Sequence, residues 1–265
     1  MVSIRSRGDA HPGSISTLGG VGHFTSDLER ALAEGEIDIA VHSLKDLPIT
    51  PTPGLEVVAV PRRDDPRDAL VSQEGVALSN LPRGARIGTS SPRRACLLLA
   101  MRPDLQITEL RGNVDSRVRR VGEGRYDAVV VAAAGLIRLG LEDRIAERFV
   151  PENFPPAPGQ GALAVQVRAG GGVLYKSAAS LDDPVAREAT TAERSVLKGL
   201  GGGCSAAIGT YARREDGQTL SLTAVAGSRD GRRVLWANER GENPAELGRV
   251  VVDQLVEAGA RELLE

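Results

Sequence analysis

The sequence predicts an α/β fold built from two domains, or from three small ones. Segments with strand character alternate with segments of helical periodicity along most of the chain, which is the pattern of α/β proteins. The length of 265 residues exceeds that of most single domains, and a hydrophobic content of 41% is enough to form cores. A stretch rich in charge and proline, residues 61–67, indicates a boundary between domains.

The elements before this boundary are one helix and two strands. The helix is predicted over Ser26–Leu32, where Ser26 and Glu29 form a capping box and Gly35 supplies the stop. Strands are predicted at Ile37–Val41, as a continuous buried run, and at Glu56–Val60.

A second α/β unit follows the boundary. Its predicted strands, with the strand of the return crossing, are Ala69–Val71, Ala85–Gly88, Gln106–Leu110, Asp127–Ala133 and Leu163–Val167. Ser91 is a good N-cap with Pro92 at the first helical position, and Asn113 is the next N-cap. The helix after Asn113 ends at Gly122, and another is predicted around Leu136–Leu139.

The last third of the chain predicts a helix–sheet–helix unit. Residues 151–158 are rich in proline and indicate a return crossing. Asp183 and Pro184 begin a helix that reaches Leu200. Strands are predicted near Ile208–Ala212, Leu220–Ala226 and Arg233–Trp236, and one helix is predicted from Pro244 to Leu264.

Composition excludes several classes of protein. A net charge of −2 and an aromatic content of 3% disfavour nucleic-acid binding, which needs basic surfaces and stacking platforms. Two cysteines far apart argue against a disulfide framework and predict a cytoplasmic protein. No apolar run approaches a membrane span, and residues 1–13 lack the apolar core of a signal peptide. His11, His23 and His42 have no metal-ligand spacing with the cysteines, so no metal is predicted.

The first candidate site follows the predicted strand Ile37–Val41. Ser43, Lys45 and Asp46 lie at its carboxyl end, where α/β sheets usually bind ligands. Lys45 is one of three lysines among 33 basic residues, and it stands beside Asp46. The alternative is a surface ion pair between Lys45 and Asp46.

Two predicted helices begin with arginines, at residues 89–94 and 111–117. Helix N-termini bind anions, and guanidinium groups match carboxylates in bidentate pairs. Arg93 and Arg94 oppose the helix dipole, which indicates an anion that offsets them. The predicted ligand therefore carries several carboxylates or phosphates, unless these arginines are only solvated.

The third candidate is the thiol of Cys204, which follows three glycines. Glycines remove side-chain cover and allow a close approach, so the thiol can be a nucleophile or an attachment point. The alternative is a small buried residue in a tight turn. Cys96 lies within a leucine-rich helix and is predicted to belong to the core.

Taken in order along the chain, these motifs resemble the porphobilinogen deaminase (hydroxymethylbilane synthase) family. The matching segments are His42–Pro48, Arg63–Ala69, Gly88–Arg94, Arg111–Val114, Ala134–Leu139, Pro158–Ala162 and Gly202–Cys204. Each is weak alone, but the ordered set is highly specific and covers the chain from near residue 7 to about 212.

The resemblance implies an α/β fold of three domains, the first two like two-lobed periplasmic binding proteins, plus a small C-terminal α/β domain. The expected bounds are 1–61 with 162–180, then 62–161, then 181–265. It further implies that four porphobilinogen molecules are joined head to tail, with release of ammonia, to give hydroxymethylbilane for tetrapyrrole biosynthesis. The family also leads us to expect a monomer.

The resemblance also implies the site residues. The aspartate that matches Asp46 assists proton transfer and stabilises cationic intermediates, and Lys45 is expected to act with it. A dipyrromethane cofactor is expected on Cys204 through a thioether. The other residues expected to hold the cofactor are Ser43, Lys45, Asp46, Thr89, Ser91, Arg93, Arg94, Asn113 and Gln160. Those expected to hold substrate are Arg111, Arg117 and Arg138.

Two departures from the family pattern lie near the N-terminus. The usual opening strand and helix, with a Gly-Thr-Arg-x-Ser-x-Leu-Ala motif, have no match, so the first domain is expected to be incomplete. Val21 stands where the family usually has lysine, and Ser26 replaces another usual lysine. The alternative function is therefore a catalytically impaired homologue that acts at most as an anion-binding module.

Overall fold

The computed structural model describes residues 25–202 and 206–264. In that part of the chain the strands are β1 (Ala40–Ser43), β2 (Leu55–Ala59), β3 (Asp68–Ser72), β4 (Arg86–Gly88), β5 (Gln106–Thr108), β6 (Ala128–Ala132), β7 (Glu147–Arg148), β8 (Leu163–Arg168), β9 (Ile208–Arg214), β10 (Leu220–Gly227) and β11 (Val234–Gly241). The α-helices are α1 (Ser26–Ala33), α2 (Pro92–Met101), α3 (Val114–Gly122), α4 (Ala133–Arg138), α5 (Val173–Ala179), α6 (Pro184–Gly199), α7 (Pro244–Glu257) and α8 (Ala260–Leu264). This alternation confirms the predicted α/β class.

The first sheet has the order β1-β8-β2. Strand β8 pairs antiparallel with both neighbours, with Ala40 opposite Gln166 and Leu55 opposite Arg168. The predicted buried strand Ile37–Val41 is wrong in its bounds, because the strand begins only at Ala40. Side chains alternate between the faces of a strand, so Ala40 is buried while Val41 is 55% exposed.

The second sheet is built from a continuous stretch of chain and has the order β5-β4-β6-β3-β7. Strand β4 runs parallel to β5 and β6, whereas β3 runs antiparallel to β6 and β7. Helices α2 and α3 pack against this sheet through buried residues such as Leu98 and Val118. The second α/β unit is therefore confirmed, with strand ends shifted by one or two residues.

Two of the three predicted N-caps in this half of the chain differ in detail. Ser91 caps α2, and its Oγ accepts the N–H of Arg94 at 3.4 Å. Asn113 occupies the N-cap of α3 without a side-chain cap bond. The capping box at Ser26 is wrong, because Ser26 is the first helical residue and Thr25 holds the N-cap position.

The third sheet, β11-β10-β9, is antiparallel. Helices α6 and α7 cover one face, where Val196, Leu222 and Leu255 form the centre of a core. The predicted single helix from Pro244 to Leu264 is in fact two, because Gly259 adopts a φ of +94° that an α-helix does not allow. Helix α5 was not predicted, since Val173 and Leu174 in it are exposed and give no apolar stripe.

Within residues 25–202 and 206–264, no helix combines the length and the apolar character that crossing a bilayer requires.

Candidate active site

A short 3-10 turn, Leu44–Asp46, follows β1 and carries the first candidate residues. Leu44 and Leu47 are buried on either side of the charged pair and anchor the turn in the core of the first sheet. From helix α6, Arg194 donates hydrogen bonds to the carbonyls of Leu44 at 3.0 Å and Leu47 at 3.2 Å. The backbone is therefore held firmly while Lys45 and Asp46 project from it.

Lys45 and Asp46 do not pair with each other. Among the described residues Lys45 makes no ion pair with Asp46, and its Nζ instead donates to Oε1 of Gln160 at 3.2 Å. Lys45 is half-buried and Asp46 is exposed. The alternative of a surface ion pair is therefore wrong. Burial and the nearby Arg94 cation lower the pKa of Lys45 to about 8, whereas Asp46 and Asp68 act in the opposite direction.

Gln160 joins Lys45 to the second sheet. Its side chain is fully buried, and its Nε2 donates to the carbonyl of Pro66 at 2.9 Å and to Oδ1 of Asp68 at 3.0 Å. These two acceptors fix the orientation of the amide, so that Oε1 faces Lys45 and Nη2 of Arg94, the latter at 3.5 Å. Gln160 therefore holds the Lys45 ammonium toward the start of α2.

Arg93 and Arg94, at the start of α2, are buried rather than solvated. Arg93 donates to Asp68 Oδ2 at 2.6 Å, and Arg94 donates to Asp68 Oδ1 through Nε at 2.9 Å and Nη2 at 2.6 Å. The anion that offsets the pair thus includes a carboxylate of the protein itself, at the first residue of β3. Two guanidinium groups share one carboxylate, so one positive charge stays in excess.

Arg117, near the start of α3, interacts electrostatically with charged groups that also act on Lys45. Its Nε donates to the carbonyl of Gly112 at 2.6 Å. Burial, Arg94 and Arg120 lower the pKa of Arg117, in that order, and Asp46 raises it. Arg94 and Asp46 therefore act on Lys45 and on Arg117 alike, which places the turn and both helix starts around one region.

The remaining predicted substrate arginines are partly exposed and paired with acidic residues. Arg111 is 31% exposed and donates to Glu109 at 2.9 and 2.6 Å. Arg138 is 35% exposed, donates to Asp64 at 2.7 Å, and reaches the carbonyl of Gly161 at 3.1 Å. Both arginines already hold acidic partners, which a ligand carboxylate would have to displace or join.

The other predicted cofactor residues differ in their exposure. Ser43 ends β1 and is half-buried, whereas Asn113 is exposed. Thr89 is buried, and its Oγ1 accepts the N–H of Ser91 at 3.2 Å. Cys204 lies outside the described residues.

Cys96 belongs to the core, as predicted. It is only 1% exposed, and burial raises the pKa of its thiol to about 11. Such a thiol stays protonated at neutral pH and is a poor nucleophile.

Two buried carboxylates escaped the sequence-based prediction. They are Asp68, which lies within one of the motifs, and Glu193, which lies in none. A carboxylate that opens an otherwise apolar strand, Asp68 before Ala69, Leu70 and Val71, is the one signal that pointed to a buried partner.

The donor set fits the dipyrromethane that the resemblance implies, since that group carries acetate and propionate side chains. Lys45 and Arg117 each have a pKa lowered in part by Arg94, which shows that like charges have been brought together. Carboxylates of a ligand would relieve this repulsion.

Comparisons with known proteins agree with this chemistry. The family model "porphobilinogen deaminase, dipyromethane cofactor binding domain" matches residues 1–175, and "porphobilinogen deaminase, C-terminal domain" matches residues 188–257. A porphobilinogen deaminase of Roseiflexus castenholzii is 49% identical over 251 residues, which cover 94% of this chain and 82% of the relative. One of Nocardia farcinica is 47% identical over 274 residues, which cover 100% and 79% respectively.

Among solved structures, a putative periplasmic sulfonate-binding protein, SsuA, of Methylobacillus flagellatus is 18% identical to this chain. The match covers 66% of this chain and 52% of that one, with a TM-score of 0.36. At this score the likeness carries no weight for fold or function. The two family models and the near-complete sequence matches carry that weight, and they show that the chain belongs to the porphobilinogen deaminase family.

Proposed function

We propose that this protein joins four porphobilinogen molecules head to tail, releasing ammonia at each step, to give hydroxymethylbilane. The protein is then a transferase of tetrapyrrole biosynthesis. The observation that carries this proposal is one exposed carboxylate, Asp46, beside a partly buried group of cations in charge excess. Family membership and the naming of the relatives support the same activity.

The cations and the carboxylate have different roles in the proposed reaction. Lys45, Arg94 and Arg117 bind and orient the acetate and propionate groups, because each offers a charged donor in a partly dehydrated region. As ammonia leaves the substrate, positive charge develops on its pyrrole. The carboxylate of Asp46 stabilises that charge and can accept or return a proton at its oxygens.

We also propose that a dipyrromethane is attached to the sulfur of Cys204. When bound, this group supplies the primer to which the substrate units are added. Ser43, Ser91 and Asn113 are proposed to contact it with Lys45, Asp46 and the arginines, and Thr89 to support the loop through its bond from Ser91. Gln160 and Arg93 serve the site through their bonds to Lys45 and Asp68. Arg111 and Arg138 are also proposed to hold substrate.

We further propose three domains, residues 1–61 with 162–180, then 62–161, then 181–265. The three separate sheets support this division, and most residues of each hydrophobic cluster come from one of these domains. We propose a cytoplasmic protein without nucleic-acid or membrane partners, which the net charge of −2 and the presence of only two cysteines support. We also propose a monomer, as the resemblance to the family implies.

No observation favours the alternative of a non-catalytic anion-binding module. An exposed carboxylate beside the cations weakens anion binding and adds nothing to it, whereas the proposed reaction needs such a group. Asp46 therefore argues for chemistry rather than for binding alone.

Intact-protein mass spectrometry tests the proposal directly. We expect the purified chain to weigh one dipyrromethane more than the bare polypeptide. Cys204→Ser should lose this added mass, while the control Cys96→Ser should keep it. The proposal would be contradicted if the wild-type protein had the mass of the bare polypeptide and also did not turn over porphobilinogen.

A further inference from the structure

Asp68 is a fully buried carboxylate with no role in the proposed reaction so far. It opens β3, and three side chains donate four hydrogen bonds to it. Oδ1 accepts from Nε of Arg94 at 2.9 Å, from Nη2 of Arg94 at 2.6 Å and from Nε2 of Gln160 at 3.0 Å. Oδ2 accepts from Nη1 of Arg93 at 2.6 Å. With both oxygens engaged, Asp68 is poorly placed to contact a ligand directly.

A hydrogen-bonded chain leads from Asp68 to Lys45. Gln160 donates to Asp68 through Nε2 and accepts from Lys45 through Oε1. Arg94 meets the same chain, since its Nη2 donates to Asp68 and lies 3.5 Å from Gln160 Oε1. One carboxylate thus sets the orientation of two groups that face the candidate site.

We propose that Asp68 is a positioning residue of this site, which holds Arg94 and Gln160 in place and through them aims the Lys45 ammonium at the ligand's carboxylates. This inference rests on the proposed function for the nature of the ligand. It assigns Asp68 a role that does not require contact with substrate or cofactor.

The charges around Lys45 support the same role. Arg94 and Arg93 lower the pKa of Lys45, whereas Asp46 and Asp68 raise it against the effect of burial. Removing the charge of Asp68 leaves two arginines without their shared carboxylate. The pKa of Lys45 should then fall below its value of about 8, and a smaller fraction of Lys45 would carry charge at neutral pH.

Amine labelling measures this effect without any need for turnover. The chain contains three lysines, Lys45, Lys176 and Lys198, and the last two are exposed. Trace acetylation with acetic anhydride at a series of pH values, read by peptide mass spectrometry, reports the titration midpoint of each. In Asp68→Asn we expect the midpoint of Lys45 to fall by about one pH unit, while Lys176 and Lys198 keep theirs.

Asp182→Asn is the matched control. Like Asp68, Asp182 accepts from a guanidinium, that of Arg187 at 2.7 Å, and it accepts in addition from the N–H of Val60 at 2.7 Å, but it belongs to no part of the candidate site. We expect it to leave the midpoint of Lys45 unchanged. A shift of equal size in this control would overturn the assignment to Asp68.

A second variant keeps the proposal testable if Asp68→Asn does not fold. Gln160→Met breaks the chain while Asp68 keeps its bonds from Arg93 and Arg94, and it removes the acceptor of the Lys45 ammonium. We expect a smaller fall of the Lys45 midpoint. An unchanged midpoint in this variant, or in a folded Asp68→Asn, overturns the positioning role even in an active enzyme. If the wild-type protein shows no turnover but the variants shift the Lys45 midpoint, the positioning role is supported and only the proposed function is contradicted.

Discussion

Arg63 and Glu193 form a doubly hydrogen-bonded ion pair across 130 positions of sequence, with Nη1 to Oε1 at 2.7 Å and Nη2 to Oε2 at 3.0 Å. The carboxylate of Glu193 is fully buried and also accepts the N–H groups of Gly159 at 2.7 Å and Ala212 at 2.9 Å. One side chain of α6 thus ties together both crossings between the first two sheets and the edge of the third.

Replacing this carboxylate should destabilise the whole chain. Glu193→Ala leaves a nearly buried guanidinium and two N–H groups without their acceptor. We expect the free energy of unfolding to fall by about 3–5 kcal/mol, measured by urea denaturation. Arg249→Ala removes an exposed ion pair with Asp253 on α7 and should cost no more than about 0.5 kcal/mol. Equal unfolding midpoints for the two variants would contradict the bridging role of Glu193.

The pKa of Lys45 predicts how substrate use depends on pH. With a pKa of about 8, the ammonium is charged below pH 8 and loses its charge above it. Because only the charged form binds carboxylates, kcat/KM for porphobilinogen should decline above pH 8. Lys45→Arg keeps its charge throughout this range, so its activity relative to wild type should rise between pH 7 and pH 9. A constant ratio would show that another group controls the decline.

Asp46 should be needed for chemistry but not for folding. It is exposed and makes no ion pair with Lys45. We expect Asp46→Asn to lower kcat by about 100-fold or more, with an unchanged unfolding midpoint and with the mass added by the cofactor retained. Asp38→Asn is the matched control, because Asp38 is an exposed carboxylate just before the same strand, paired with Arg168. Near-normal turnover in Asp46→Asn would remove Asp46 from the proposed mechanism.

Packing between α2 and the third sheet can be tested at Gly227. A Cβ at this position would collide with Sγ of Cys96. We expect Gly227→Ala to destabilise the protein by about 1–3 kcal/mol, and Cys96→Ala to relieve part of that loss in the double variant. Gly122→Ala, whose Cβ would meet nothing within 4 Å, should be neutral or slightly stabilising. Additive effects of the two core substitutions would show that this contact is absent.

Local signals in the sequence predicted the starts of α2 and α6 well, where Ser91 and Asp183 make side-chain cap bonds, whereas the capping box at Ser26 was wrong. Asp183 and Pro184 begin α6 as expected, with Asp183 Oδ1 accepting the N–H of Ala186 at 2.8 Å. The strand Ile37–Val41 was misplaced because an apolar run does not reveal which residues a neighbouring strand will pair. The break at Gly259 was missed because apolar residues at helical spacing, Val256, Ala260 and Leu264, continue across this glycine and outweighed the stop that it signals.

In the candidate site, too, local patterns were predicted and long-range contacts were not. The Lys45–Asp46 turn at a strand end and the arginines at helix starts were visible as local patterns. The partner of Arg93 and Arg94 was not, because Asp68 lies 25 and 26 positions away on a different element. Only the fold brings this carboxylate to the arginines, and with it the explanation of why paired cations can be buried at the start of α2.

The central position of β8 in the first sheet has a consequence for how the chain is made. His42 of β1 contacts Gln166 of β8, 124 positions later, so the ribosome must synthesise all of the second sheet before β1 and β2 receive their shared neighbour. During translation the second sheet can close first, while the two earlier strands wait with unpaired edges. The first sheet, which contains the earliest strands, can therefore be completed only after the second sheet and β8 have been synthesised.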